Sequence, residues 1–154
     1  MKANSKFDYI IVGGGLSGLH LSNCFSDDMF FSKYSFLIID KEKRDKKDNY
    51  FSYWEIGTGK WDSILSNKWN KALMFSSKRK VEMDFSDYNY KTLSSLKFRD
   101  YVKKKLNKKK NFKFISDTVL KIREEKNKVI VVGNKKNYIA KHIFDSRFSN
   151  NTLK

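Results

Sequence analysis

The stretch Asp8-Tyr9-Ile10-Ile11-Val12-Gly13-Gly14-Gly15-Leu16-Ser17-Gly18-Leu19 decides how this chain is read. An apolar run, Tyr9 to Val12, feeds a glycine turn, and the turn opens a helical pattern carried by Leu16, Leu19, Cys24 and Phe25. Gly13, Gly15 and Gly18 stand at G-x-G-x-x-G spacing. The first permits the tight turn, the second lets backbone N–H groups approach a pyrophosphate, and the third lets the helix close on the strand. Gly14 and Ser17 complete the loop. The helix N-terminus adds oriented N–H donors and a partial positive charge for an anion.

That spacing alone is a weak signal, so its surroundings matter. A second apolar strand, Phe36-Leu37-Ile38-Ile39, ends in Asp40, 22 residues after Gly18. A dinucleotide's ribose hydroxyls need an acceptor at that place. Strand, turn, helix, strand and acid together make a nucleotide-binding βαβ unit. The competing reading is a glycine-rich turn in an unrelated α/β domain. An acid at Asp40 favours an unphosphorylated ribose, hence FAD or NAD over NADP, and the motif does not separate those two.

With 154 residues, 40% hydrophobic and 16% aromatic, the chain can build one domain with a core and is not of disordered composition. The lone Cys24 excludes an intramolecular disulfide and a cysteine zinc site. It reads as a small buried residue in a protein of the reducing cytoplasm. Glycines interrupt the early apolar stretch, so no signal peptide is expected, and no apolar run reaches membrane-spanning length. The net charge is +16. Lysines are spread along the whole chain, with runs at Lys41–Lys47 and Lys103–Lys110. The plain reading is a lysine- and asparagine-rich solvated surface; attraction to an anionic membrane surface comes second. No nucleic-acid motif is present, and no nucleic-acid partner is expected.

In chain order, a polar leader (1–6) and strand Phe7–Val12 precede a helix from Leu16 to Phe25, broken at Ser26-Asp27-Asp28. Strand Ser35–Asp40 leads to a charged loop, Lys41–Lys47. Residues 48–75 read as less regular, with a turn at Gly57 and Gly59. Their aromatics show no clear period and fit either a pocket for a flat apolar ligand or a satellite core. Together, residues 48–90 form an aromatic-rich insertion, within which Lys80–Phe85 alternates like a strand with one wet face. Ser94 or Ser95 caps a helix with Leu96, Phe98 or Arg99, Val102 and Leu106 on its stripe. Phe112–Ile115 is the natural third strand of a parallel sheet. Thr118–Arg123, Lys128–Val132 and Tyr138–Ala140 form an antiparallel meander, and His142–Asp145 returns to the parallel sheet. The expected architecture is α/β, a Rossmann-like FAD/NAD(P)-binding domain over 1–154, incomplete, with a small antiparallel meander. His20 and His142 read as residues without chemistry, and the sequence holds no Ser/His/Asp set, metal cluster or P-loop.

Taken together, these pieces resemble the amino-terminal part of the carotenoid β-cyclases, the lycopene cyclase family of flavoproteins. Four segments carry the resemblance: Asp8–Gly18, shared with many flavoproteins; Phe36–Glu42; Asp48-Asn49-Tyr50-Phe51-Ser52-Tyr53-Trp54-Glu55; and Phe144-Asp145-Ser146-Arg147. The third is the most discriminating. It is similar to the family's Asn/Asp-Thr-Trp-Cys-Phe-Trp-Glu stretch, with Trp54-Glu55 intact and Tyr50-Phe51-Ser52-Tyr53 departing from it. Tyr88–Val102 also resembles the family's segment where a tyrosine-containing loop enters a helix.

The resemblance implies FAD as cofactor, with NAD(P)H as the candidate reductant, and lycopene, a carotenoid, as substrate. The family's reaction is a cyclisation without net redox change: a carboxylic acid protonates the polyene end, the carbocation closes a ring and then loses a proton. By matching position, Gly13, Gly14, Gly15, Ser17 and Gly18 hold the pyrophosphate, Asp40 with its neighbour Lys41 meets the adenosine ribose, and backbone near Val119 meets the adenine. Arg147 sits near the cofactor or orders the Asp-Ser-Arg turn. Trp54 and Glu55 are candidates for the substrate or flavin region, against a plain reading as a core Trp and a surface Glu. The family's distal half carries a glutamate-rich catalytic motif that this sequence lacks. The expectation is therefore a truncated flavin-binding lobe that does not cyclise lycopene alone; the alternatives are a fragment of another FAD- or NAD-dependent oxidoreductase, such as a monooxygenase-like one, and a non-catalytic nucleotide-binding remnant. A carotenoid substrate makes peripheral membrane association an expectation too.

Overall fold

The computed structural model describes residues 5–41 and 48–147. In chain order its elements are β1 (Ser5–Val12), α1 (Leu16–Asp27), β2 (Phe36–Asp40), β3 (Tyr50–Ile56), β4 (Asn67–Trp69), β5 (Lys71–Phe75), β6 (Lys80–Asp84), β7 (Tyr88–Ser94), α2 (Ser95–Asn107), β8 (Phe112–Ser116), β9 (Val119–Glu125), β10 (Lys128–Gly133) and β11 (Asn137–Asp145). They fall into two compact units, one of Met1–Asp45 with Val102–Lys154 and one of Lys46–Tyr101. The 48–90 insertion lies inside the second unit. Beyond Lys41, the expected charged loop lies outside the described residues, as do the first four residues of the leader.

The first unit is built on a six-stranded sheet of order β8-β2-β1-β11-β10-β9. β8, β2, β1 and β11 run parallel, and β10 and β9 complete the sheet antiparallel. Phe112–Ile115 takes the expected third parallel place, in register from Phe36↔Phe112 to Asp40↔Ser116. Central parallel strands are covered on both faces, so they read as unbroken apolar runs: Ile10, Ile11 and Phe36 to Ile39 are all fully buried. One face packs Ile10, Val12, Leu37 and Ile39 on Val119, Val131, Tyr138 and Ala140. Tyr9, Phe36 and Phe112 stack through ring centroids 5.0 and 4.5 Å apart.

Several boundaries differ from expectation: β1 begins at Ser5, inside the expected leader, and β9 runs on to Glu125. α1 runs on through Ser26 to Asp27. There the Ser26 hydroxyl donates to the Asn23 carbonyl, and Lys105 pairs with the Asp27 carboxylate, so polar side chains that suggest a break serve the last turn instead. The expected strands Tyr138–Ala140 and His142–Asp145 are one continuous strand, β11. Its first half pairs antiparallel with β10, and it runs parallel with β1 from Ser5↔Tyr138 to Val12↔Asp145. Lys141, whose charge suggests a boundary, donates to the Asp8 carboxylate at 2.8 Å.

Asp8 also accepts from the Ser35 N–H at 2.9 Å and the Ser35 hydroxyl at 2.8 Å. The Lys141 ammonium first, and the Ser35 donors after it, hold its pKa at about 2 against an ordinary 3.8. A carboxylate depressed in the folded state stabilises the fold above its unfolded pKa and loses that contribution as pH falls toward its folded one. The expected result is a drop in urea midpoint between pH 4 and pH 2 that is shallower in Asp8→Asn than in the parent.

The second unit holds a three-stranded antiparallel sheet, β3-β7-β4, and a separate two-stranded sheet, β5-β6. The stretch 48–75, expected to be less regular, thus contains three short strands, and β7 lies where a loop entering a helix was expected. β6 does pair with β5, but it is exposed along its whole length, so neither face is dry. Of the two serines, Ser94 caps α2: its Oγ accepts the Lys97 N–H at 3.2 Å. Asp48 ties the approach to β3 to the same helix end, accepting from the Ser94 and Ser95 hydroxyls at 2.7 and 3.0 Å and from the Leu96 N–H at 3.1 Å. Those donors, the Ser94 hydroxyl foremost, lower its pKa.

Candidate functional site

Four parallel strands of the first unit end at one edge of the sheet, and a cleft of about 380 Å³ opens there. The order β2-β1-β11 makes this a switch point, where chain connections leave to either side, the place at which open α/β sheets bind ligands. Val12, Gly13, Gly15, Ile39, Asp40, Lys41, Asp117, Thr118, Val119, Ser146 and Arg147 line the cleft.

The turn is packed so closely by its neighbours that Gly13, Gly14 and Gly18 have no room for side chains. Gly13 has φ +99°, which favours glycine, and its N–H donates to the Ile39 carbonyl at 2.8 Å. A Cβ on Gly13 would stand 2.4 Å from the Ser146 hydroxyl. A Cβ on Gly14 would stand 3.0 Å from an Asp40 carboxylate oxygen. One on Gly18 would stand 2.0 Å from the Gly13 carbonyl oxygen. Gly15 is the N-cap of α1 and makes no side-chain cap bond, and no acidic residue occupies the first turn. The helix end therefore offers its N–H groups and positive dipole to an outside anion. This cradle fits a pyrophosphate.

Arg147 closes the far wall. Its guanidinium grips both Asp145 oxygens, Nε donating to Oδ1 at 2.9 Å and to Oδ2 at 3.2 Å and Nη2 to Oδ2 at 2.7 Å, and Nη1 donates to the Val119 carbonyl at 2.8 Å. The pairing lowers the Asp145 pKa and raises that of Arg147. Ser146 fastens β11 to β1, its N–H and its hydroxyl both donating to the Val12 carbonyl at 2.9 Å.

Of the residues singled out from sequence, Gly13, Gly15, Asp40, Lys41, Val119 and Arg147 line this one cleft. Gly14 and Gly18 are buried behind the turn, and Ser17 is exposed on the first turn of α1 without lining the cleft. Sequence reading passed over Asp117 and Thr118. Asp117 follows β8 as Asp40 closes β2, and its N–H donates to the Asp40 carbonyl at 2.9 Å. That parallel, an acid after each apolar run, is visible in the sequence.

Trp54 and Glu55 lie in the second unit, on neighbouring positions of β3 and so on opposite faces. Trp54 is half exposed and meets Phe85 and Tyr90 at centroid distances of 4.6 and 4.8 Å. Trp69, Phe85 and Tyr90 line an apolar cleft of about 570 Å³ together with Leu73 and Ala72 from β5. The aromatics are thus arranged on a sheet face beside a cleft.

Glu55 is engaged by a buried lysine. Lys91 on β7 is fully buried and donates to Glu55 Oε2 at 2.8 Å, Asp62 Oδ1 at 2.6 Å and the Gly57 carbonyl at 2.9 Å. Burial disfavours its charge, but the two carboxylates outweigh this and raise its pKa, while Lys91 lowers that of Asp62. Lys91→Met should cut the folded-to-unfolded ratio of the chain about tenfold in urea titrations, because two carboxylates are left facing each other. The loss stays moderate because Glu55 and Asp62 keep 32% and 22% of their side-chain surface and can rehydrate.

Among the described residues no group of acids, His or Cys could hold a metal ion, and no helix is long and apolar enough to cross a membrane. No sequence among curated proteins matches the chain. Among solved structures it is similar to p-nitrophenol 4-monooxygenase from Pseudomonas putida, with a TM-score of 0.72 at 15% identity over 97% of this chain and 44% of the other. It is also similar to a flavoprotein/dehydrogenase from Cytophaga hutchinsonii, with a TM-score of 0.58 at 14% identity over 92% of this chain and 39% of the other. A third likeness is to PqsL, a probable FAD-dependent monooxygenase from Pseudomonas aeruginosa, with a TM-score of 0.60 at 8% identity over 90% of this chain and 42% of the other. At these identities the likeness establishes the fold, the α/β fold of an FAD-binding-type domain. The chain spans less than half the length of each of these three structures. The family model described as lycopene cyclase protein matches residues 8–152, so the chain belongs to the lycopene cyclase family.

Proposed function

We propose that this chain is the FAD-binding lobe of a lycopene-cyclase-type flavoprotein of carotenoid biosynthesis. The observation that carries the reading is the first unit's cleft, where a glycine cradle, an uncapped helix end, Asp40 and Arg147 meet at the ends of parallel strands. Backbone N–H groups of Gly14, Gly15 and the first turn of α1 would hold the pyrophosphate, with Gly13 shaping the turn. Asp40 would accept from the ribose hydroxyls, and backbone at Val119 would border the adenine. Its carboxylate repels a 2′-phosphate, which supports FAD over NADP. The family's chemistry has reduced flavin face the carbocation of a polyene end. The cleft of the second unit, walled by Trp69, Leu73, Phe85 and Tyr90 with Lys71 and Glu82 at its lining, presents the aromatic and apolar surface that a polyene and its cation require.

Titration of the purified chain with FAD, FMN and NADP, read by flavin fluorescence or protein quenching, tests the cofactor. FAD should bind at micromolar concentration or tighter and FMN, without the adenosine half, far more weakly. Asp40→Ala should weaken FAD about tenfold by removing the ribose acceptor. A chain that binds FMN as well as FAD, or prefers NADP, does not hold FAD in this cleft.

A further inference from the structure

The β5-β6 hairpin stands as its own two-stranded sheet, and such a sheet is marginal in water unless something covers it. Residues opposite each other in an antiparallel pair share a face. The pairs Ala72↔Met83 and Met74↔Val81 therefore make one face wholly apolar. That face is open: Met74, Val81 and Met83 expose 58%, 49% and 36% of their surface, and Phe75 beside the turn exposes 70%.

Charge is sorted along the hairpin. The turn, closed by the Ser76 N–H donating to the Arg79 carbonyl at 2.8 Å, carries Lys78, Arg79 and Lys80 in a row. Lys80 lies 5.7 Å from the Phe75 ring centre. The acids lie further from the turn, Glu82 at mid-strand opposite Leu73 and Asp84 at the far end opposite Lys71, and Lys71 pairs with them at 3.3 and 3.9 Å. The tip is thus apolar and cationic together, and the hairpin's acids are engaged by Lys71.

We infer that the tip of the β5-β6 hairpin inserts into an anionic lipid surface, Met74, Phe75 and Val81 entering the acyl boundary while Lys78, Arg79 and Lys80 meet the headgroup phosphates. Long cationic side chains beside an apolar tip can bury their stems and keep their charges at the headgroup level. A second copy of the chain is the poorer occupant, because two such tips would bring like charges together. This docking is independent of flavin binding.

The test is co-sedimentation of the full chain with vesicles of phosphatidylcholine alone or mixed with phosphatidylserine, with far-UV circular dichroism confirming that each variant is folded. The parent should bind the anionic vesicles only. Lys78→Ser/Arg79→Ser/Lys80→Ser should lose affinity about a hundredfold, from about fivefold per cation at a lipid surface. Met74→Ser/Phe75→Ser, at unchanged charge, should lose at least about tenfold. Lys104→Ser/Lys108→Ser/Lys110→Ser removes the same charge elsewhere and should lose clearly less than the tip triple. The inference is overturned if the parent does not bind, if Met74→Ser/Phe75→Ser binds like the parent, or if the two triple variants lose equally. It is also overturned if sedimentation velocity finds a dimer that needs Met74 and Phe75 while vesicles are ignored.

Discussion

Gly18→Ala lowers the stability of the chain by about 2 kcal/mol or more and removes FAD binding. Two effects oppose each other at this position. Alanine in a helix is favoured over glycine by about 1 kcal/mol. The added Cβ, however, would stand 2.0 Å from the Gly13 carbonyl oxygen and 3.2 Å from Ile11 Cγ2. The carbonyl is backbone held at φ +99°, so it cannot swing aside as a flexible side chain would. Overpacking against a fixed neighbour costs about 3 kcal/mol, so the clash prevails. The helix must lift from β1, and its N–H groups leave the turn that aims them at an anion. Urea unfolding and FAD titration of the same variant read the two consequences separately. A variant as stable as the parent would mean that α1 does not close on the turn.

Asp117→Ala costs about 3 kcal/mol. Asp117 is 2% exposed and takes a buried phenol, the Tyr138 hydroxyl, at 2.8 Å. It also takes the Thr118 N–H at 2.8 Å and the Lys135 N–H at 3.1 Å. Alanine leaves all three donors without their acceptor, and a buried donor left unmade costs about 1–3 kcal/mol. Solvent reaching the loop donors keeps the sum below three full penalties. Burial pushes the Asp117 pKa up, but the donors, Tyr138 first, outweigh it and hold it below 3.8. Its contribution is therefore complete above the unfolded pKa and lost as pH falls through the folded one. Asp117→Asn keeps the size but turns an N–H₂ toward donors, so it should lose less at pH 7 and show a flatter fall in urea midpoint toward pH 3. Equal midpoints for Asp117→Ala and parent at pH 7 would remove the residue from the core's polar network.

Legibility followed the type of burial. The parallel strands could be read because both of their faces are dry, which leaves an unbroken apolar run such as Phe36 to Ile39. The glycine turn could be read because each glycine meets a different steric demand. β7 escaped because it carries Lys91, and a lysine in a strand reads as a wet position. Lys91 is buried only because Glu55 and Asp62, 36 and 29 residues earlier, come back to meet it, and local pattern carries no trace of such pairings. Asp117 escaped for a similar reason: an acid after a strand looks like loop until Tyr138 and the Lys135 amide are seen to depend on it. In the cleft, sequence located the glycine turn, Asp40, Lys41, Val119 and Arg147, and it missed Asp117 and Thr118 beside them.

β1 lies between β2 and β11, and this has a consequence for how the chain is made. β2 follows soon after it, but the Ser146 that fastens to Val12 is 134 residues further along. At a synthesis rate of about 5–20 residues per second, one edge of β1 waits roughly 7–27 s for its partner. During that interval a strand with Ile10, Ile11 and Val12 presents an open, apolar, hydrogen-bonding edge to whatever else is nascent. Slow elongation through residues 40–140 should therefore increase aggregation without altering the finished fold, and a chaperone that shields the first strand is the natural remedy.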